Sequence, residues 1–190
     1  KEDKVSFIKD ISGLNYRLAG EVIGAADEAV PMILKGGGIK NTLIISPPGA
    51  GKTTMLRDIV RQLSYKSYRV SVVDERSEIA ALCEGRSAFD LGFSTDVLEG
   101  VDKAEGMLMV LRSMSPDVIV TDEIGKQSDI DAIERITNSG AAVIATIHGR
   151  NIDMIKRRDD LKRMLKFFDL IITLSRRKGI GTVEEALTEW

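Results

Sequence analysis

Short, wholly apolar runs alternate along the chain with longer stretches whose apolar residues recur every three or four positions. TLIIS at 42–46, RVSVVD at 69–74, VIVTD at 118–122, AVIATI at 142–147 and LIITLS at 170–175 are of the first kind. They read as strands buried on both faces, as in the middle of a parallel sheet. Residues 52–66 carry Met55, Leu56, Ile59, Val60 and Leu63 at helical spacing. Helices are also expected over 102–114, with Asp102 as N-cap, over 129–138 and over the charged stretch 152–167. Residues 22–34 suggest a helix interrupted near Pro31 and ended by the glycines at 36–38. Residues 77–101 show no period and read as loop with short helical pieces; beyond 175 a GIG turn leads into a short tail. This alternation predicts an α/β fold, three layers αβα around a mainly parallel sheet with right-handed crossovers. The division expected is a helical lead-in over residues 1–40 and one compact domain over 41–190.

Composition narrows the class without naming it. The 190 residues are 43% hydrophobic and 29% charged, ordinary for a globular protein. With 27 basic and 29 acidic side chains the net charge is −2, so no global positive field points to nucleic acid. Cys83 is the only cysteine, which excludes an internal disulfide and favours a reducing compartment. No apolar run approaches the roughly 20 residues needed to cross a bilayer as a helix. The chain opens without a methionine, and is read as a fragment lacking an upstream region.

The first chemistry lies between the strand at 42–46 and the helix after it, in SPPGAGKTT. This is a phosphate loop, or Walker A motif, in its required strand–loop–helix context, rather than a chance Gly/Pro turn. Pro48, Gly49, Ala50 and Gly51 would curl the backbone so that consecutive N–H groups face a phosphate chain, with the helix dipole behind them. Lys52 would reach the β- and γ-phosphates, Thr53 would ligate Mg²⁺, and Thr54 would bond the α-phosphate. The strict pattern has glycine where this chain has Ser46, a change tolerable if that residue keeps a negative φ.

A second element, VIVTDEIG, brings Asp122 and Glu123 to the carboxyl end of a buried strand, where ligands of such sheets bind. Asp122 would hold Mg²⁺ directly or through water, and Glu123 would orient or deprotonate an attacking water, the arrangement of a Walker B motif. Asp74 and Glu75 close the strand at 69–74 in the same manner, making Glu75 a further candidate beside a solvated-loop reading. His148, the only histidine, follows 142–147 at the same sheet edge and would sense the γ-phosphate, unless it is simply structural. Arg112 either stabilises phosphate charge across a subunit boundary or complements the end of its own helix. Residues 150–166 hold seven basic and three acidic side chains, a net of +4. That stretch reads as a solvated face, a subunit interface or a contact for an acidic membrane; lacking interleaved aromatics, it ranks nucleic acid last.

The series SPPGAGKTT, VVDERSEI, LRSMSPDVIVTDEIG and SGAAVIATIHG resembles the traffic ATPases of type II and type IV secretion. With STDVLEG and KAEGM it resembles more closely the stage III sporulation protein AA family, over about residues 12–175. The resemblance implies a RecA-like P-loop NTPase fold, ATP as substrate with Mg²⁺, and catalytic roles for Lys52, Glu123, Glu75 and His148, with Asp74 and Glu78 near the nucleotide. It also implies a homo-oligomer, usually a hexameric ring, and integral-membrane partners of a sporulation channel. The expected location is cytoplasmic, peripheral on the mother-cell face of the forespore membrane. Two departures from the secretion enzymes stand out: Asp122 occupies a position where those often have glycine, and Arg112 lies four residues before Pro116 rather than three. Besides a motor, the sequence admits a nucleotide-dependent interaction switch with little turnover, and a P-loop small-molecule kinase. The kinase is disfavoured by the Asp-Glu pair and the TIHG segment.

Overall fold

The computed structural model describes residues 9–13 and 20–190. The rest of the expected lead-in, residues 1–8 and 14–19, lies outside the described residues. In chain order the elements are α1 (Ala29–Ile33), β1 (Thr42–Ser46), α2 (Lys52–Tyr65), β2 (Val70–Asp74), β3 (Leu82–Cys83), β4 (Arg86–Ser87), β5 (Thr95–Glu99), α3 (Lys103–Ser113), β6 (Val118–Thr121), α4 (Gln127–Ser139), β7 (Ala142–His148), α5 (Ile152–Lys156), α6 (Asp159–Lys162), a 3-10 turn (Leu165–Phe167), β8 (Leu170–Ser175) and β9 (Thr182–Leu187). Seven strands form one sheet in the order β5–β2–β6–β7–β1–β8–β9. All neighbours are parallel except β9, which runs antiparallel to β8.

The apolar strands are buried throughout, and alternate side chains feed two separate cores. Ile44, Val72, Val120, Ile144 and Ile172 pack on one face with α1 and α2. Leu43, Ile45, Val73, Ile119, Val143 and Ile171 pack on the other with α3, α4, α5 and α6. The predicted helix face of α2 (Met55, Leu56, Ile59, Val60, Leu63) is buried in the first core. At roughly 1.5–3 kcal/mol for each fully buried apolar side chain, these two layers supply the main driving force of the fold.

Four expectations are corrected. Residues 77–101 contain no helix; they form the β3–β4 hairpin and the edge strand β5, paired in parallel with β2. TDVLE is only partly buried, so it lacks the apolar signature of the inner strands. The basic stretch is not one helix but three short pieces. Leu161 follows Ile152 by nine residues, about two and a half helical turns, so a continuous helix would set them on opposite sides. Breaking it at Arg157–Arg158 lets Ile152, Ile155, Leu161, Met164 and Leu165 all enter one core. The tail is a strand, β9, whose Glu184 and Glu185 keep a charged outer edge. Near the start, residues 23–28 are turns, and helix begins only at Ala29. Pro31 sits in its first turn, where a missing N–H costs little.

Candidate functional site

The carboxyl ends of β1, β7, β6 and β2 lie side by side at one edge of the sheet, which gathers the motifs that sequence places far apart. Ser46 stands opposite His148 in the β1–β7 register, and the Gly149 N–H donates to the Ser46 carbonyl at 3.2 Å. Ser46 keeps strand geometry and its hydroxyl bonds the Pro47 carbonyl at 3.0 Å, so serine is accommodated here. The loop then turns through Gly49 (φ +70°) and Gly51 (φ +89°), a region open to glycine but strained for other residues. Gly51 ends the loop as the N-cap of the 14-residue helix α2. A Cβ on Gly51 would stand 2.9 Å from Ile180 Cγ2 and 3.0 Å from the Gly181 amide. That amide donates to the Ala50 carbonyl at 3.0 Å, so the turn between β8 and β9 backs the phosphate loop from outside.

A cavity of about 470 Å³ opens on the loop, lined by Pro48, Gly49, Gly51, Lys52, Thr53 and Thr54 on one side and by Arg76, Glu78, Glu123 and His148 on the other. Burial lowers the Lys52 pKa from its ordinary value, countered in part by the negative charge of Glu123, Asp122 and Glu78. A second hollow, about 650 Å³, lies at the amino ends of the strands around Tyr68, Arg69 and Asp117. It is larger but holds none of the candidate site residues, and ligands of open α/β sheets bind at the carboxyl ends.

Glu123 faces the cavity. One carboxylate oxygen is 3.5 Å from Arg76 Nη1 and the other 3.5 Å from His148 Nε2. Asp122 points elsewhere. Its carboxylate is buried, does not line the cavity, and stands 2.8 Å from the buried Lys103 Nζ. That contact is an ion pair, since Asp122 Oδ1 receives no aligned hydrogen bond. The same ammonium donates to the Glu123 carbonyl oxygen at 2.8 Å.

The carboxylates at the end of β2, Asp74, Glu75 and Glu78, separate into three roles. Asp74, fully buried, accepts from the amides of Glu78, Ile79 and Ala80 at 2.8–2.9 Å and folds the loop after β2. Glu75 does not line the cavity; its carboxylate lies 3.8 Å from both Lys103 and Lys126. Glu78 does line it. Arg57, five residues beyond Lys52 in α2, donates to the carbonyls of Ile79, Glu78 and Gly20 at 2.7–2.9 Å, with its guanidinium 3.7 Å from the centre of the Phe89 ring. Arg112 donates to the Leu108 carbonyl of its own helix at 3.0 Å and is not among the cavity-lining residues, the helix-end alternative of the sequence reading.

Sequence reasoning missed Lys103, Arg57 and Ile180. For Lys103 a signal exists: a lysine directly after the N-cap opposes the helix dipole, so it needs a partner elsewhere. Arg57 and Ile180 carry no such mark.

The donor set suits a magnesium nucleotide. Mg²⁺ usually takes one or two protein groups and completes its shell with phosphates and water. Among the described residues no group of three or more His, Cys, Asp or Glu is placed to cage a metal alone. Thr53 at the cavity wall could serve such an ion directly; Asp122, buried against Lys103 and outside the cavity lining, could serve it only through water.

Comparison with known proteins agrees with this layout. The sequence pattern of a family described as "Sporulation stage III, protein AA" matches residues 1–189. Stage III sporulation protein AA of Bacillus subtilis (strain 168) is 40% identical over 188 residues, 95% of this chain and 61% of that protein, so the chain spans less than two thirds of this relative. Among solved structures, the VirB11 ATPase of the Brucella suis type IV secretion system superposes with a TM-score of 0.61 at 16% identity, over 85% of this chain and 50% of that one. The pilus retraction motor PilT with bound ADP gives 0.57 at 20% identity, over 77% and 45%. At such identities these likenesses speak for the fold alone, which is RecA-like, with three αβα layers.

Proposed function

The chain belongs to the sporulation stage III, protein AA family, and on that premise we propose that it is a Mg²⁺-dependent ATPase, the motor of a membrane channel used in sporulation. The observation that carries this reading is Glu123, set across one cavity from Lys52 and the phosphate loop and flanked by Arg76 and His148. The loop amides and the α2 N-terminus would hold the phosphates, and Lys52 would offset charge on the β- and γ-groups. Glu123 would orient water in line with the γ-phosphorus and take its proton. Water oxygen bonds to phosphorus as the bridge to ADP breaks, releasing ADP and inorganic phosphate. Thr53 would hold Mg²⁺ directly and Asp122 through water, and the ion offsets phosphate charge when bound. His148 and Arg76 would sense whether the γ-phosphate is present, and Glu75 would act at one remove.

The unit doing this is residues 41–190, with 1–40 as lead-in. A hexameric ring is proposed from the family's secretion-type relatives, with integral-membrane channel components as partners on the mother-cell face of the forespore membrane. Among the described residues no helix is long and apolar enough to cross a membrane. A second reading, a switch with little turnover, is favoured by one contact: Arg76, 3.5 Å from Glu123, would occupy the carboxylate meant for water until a ligand or neighbour draws Arg76 away.

The test is ATP turnover by the purified chain over a range of protein concentrations, beside Glu123→Gln and Lys52→Ala. The motor predicts turnover rising faster than linearly with protein, nucleotide binding without turnover in Glu123→Gln, and weakened binding in Lys52→Ala. Unchanged turnover in Glu123→Gln would remove the catalytic assignment, and no nucleotide binding by wild type would remove the whole reading.

A further inference from the structure

The geometry points to Lys103 as a positioning residue for the hydrolytic carboxylate, a role that rests on the reading of Glu123 as the group that orients water. Lys103 is the first residue of α3, where its charge opposes the helix dipole, and it is nonetheless buried. Its Nζ lies 2.8 Å from Asp122 Oδ1, 2.8 Å from the Glu123 carbonyl oxygen and 3.8 Å from Glu75 Oε2. One ammonium therefore ties together the two residues that follow β6 and the residue that follows β2. The reach depends on close packing: a Cβ on Gly106 would stand 2.7 Å from Val73 Cγ1 and 2.8 Å from Val101 Cγ2, so glycine lets the start of α3 lie against the sheet.

A buried lysine must be matched by charge and hydrogen bonds, or it destabilises the fold. Asp122 supplies the charge. The bond to the Glu123 carbonyl is different, because it fixes the backbone from which the cavity-facing side chain departs. Beside Glu123 the chain is otherwise pinned by the Ile124 amide on the Thr146 carbonyl at 2.8 Å. With both anchors the Glu123 carboxylate is held toward Arg76 and His148; without Lys103 the peptide joining Glu123 to Ile124 loses its carbonyl anchor and keeps only the amide one. Glu75, bridging Lys103 and Lys126, steadies the ammonium from the solvent side, which gives it a function without a place in the cavity.

A purely structural salt bridge and a positioning residue make opposite predictions for two variants, Asp122→Leu and Lys103→Met/Asp122→Leu. Both lack Asp122, so any part it plays toward the metal is the same in each. Asp122→Leu leaves a buried charge unpaired but keeps the bond to the Glu123 carbonyl. The double variant removes that charge, so its thermal midpoint should be the higher of the two. We expect this more stable protein to turn over ATP at least tenfold more slowly, with KM and the Kd for ADP within twofold. The ¹³C resonance of the Glu123 carbonyl should also move upfield on losing its donor. A double variant as fast as Asp122→Leu, or faster, with that resonance unmoved, overturns the role. If the wild-type chain hydrolyses no ATP, the ATPase reading fails separately. The carbonyl resonance then decides whether Lys103 positions this peptide, and an unmoved resonance overturns it.

Discussion

Ser46 and His148 are register partners across the parallel strands β1 and β7, so the residue that opens the phosphate loop and the only histidine of the chain end their strands together. From there His148 Nε2 reaches to 3.5 Å from Glu123. On the proposed ATPase function, a side chain bound to the loop backbone by register and to Glu123 by contact would report on phosphate.

His148→Ala should therefore lower kcat about tenfold, less than the loss of a full acid–base group, with KM and nucleotide affinity nearly unchanged. Steady-state kinetics beside a fluorescent-nucleotide titration would check this. A large rise in KM with kcat intact would instead make His148 a binding residue.

Replacing Gly51 with alanine forces a side chain into a left-handed φ and against the Gly181 backbone. The conformational part alone costs about 1–2 kcal/mol, and backbone overlap adds to it. At Gly49 a Cβ would meet only Arg176 Nη1, at 3.7 Å. Thermal denaturation should thus show a larger loss for Gly51→Ala than for Gly49→Ala, while both weaken nucleotide binding. Equal midpoints would argue against the β8–β9 turn as a support of the loop.

Arg57→Ala removes the donor shared by the Gly20, Glu78 and Ile79 carbonyls. With that side chain buried, a destabilisation of about 3 kcal/mol is expected in urea. Limited proteolysis should cut faster within residues 75–81, the loop that Arg57 clamps. An unchanged cleavage pattern would mean that Asp74 alone holds that loop.

Asp58 predicts an acid limb of stability. Burial by itself would raise its pKa, but the Ala26 amide, Arg61 and Gln62 outweigh burial and hold it below the ordinary value. A depressed folded pKa contributes stability that is fully present above the unfolded value, about 3.9, and is lost as pH falls through the lower folded one. Asp58→Asn should be less stable than wild type at neutral pH, with the gap closing below about pH 4. A gap independent of pH would show that the carboxylate charge is not what matters at this position.

Sequence alone determined the inner strands, the α2 helix and the two motifs, because each is local. An unbroken apolar run can be satisfied only inside a sheet, and glycines before Lys-Thr between a strand and a helix have few other uses. It equally determined that Asp122 and Glu123 stand at a strand end. The tertiary structure decided whatever depends on partners distant in the chain. β5 is a strand because β2 offers it an edge, and β9 because β8 does; their own composition is too mixed to say so. The basic stretch breaks because its apolar residues must share one core face. Within the acidic pair, Glu123 faces the cavity while Asp122 turns to Lys103, a division set by α3 packing through Gly106 onto Val73. No spacing along the chain encodes it, because the charge that separates the two carboxylates arrives from another helix.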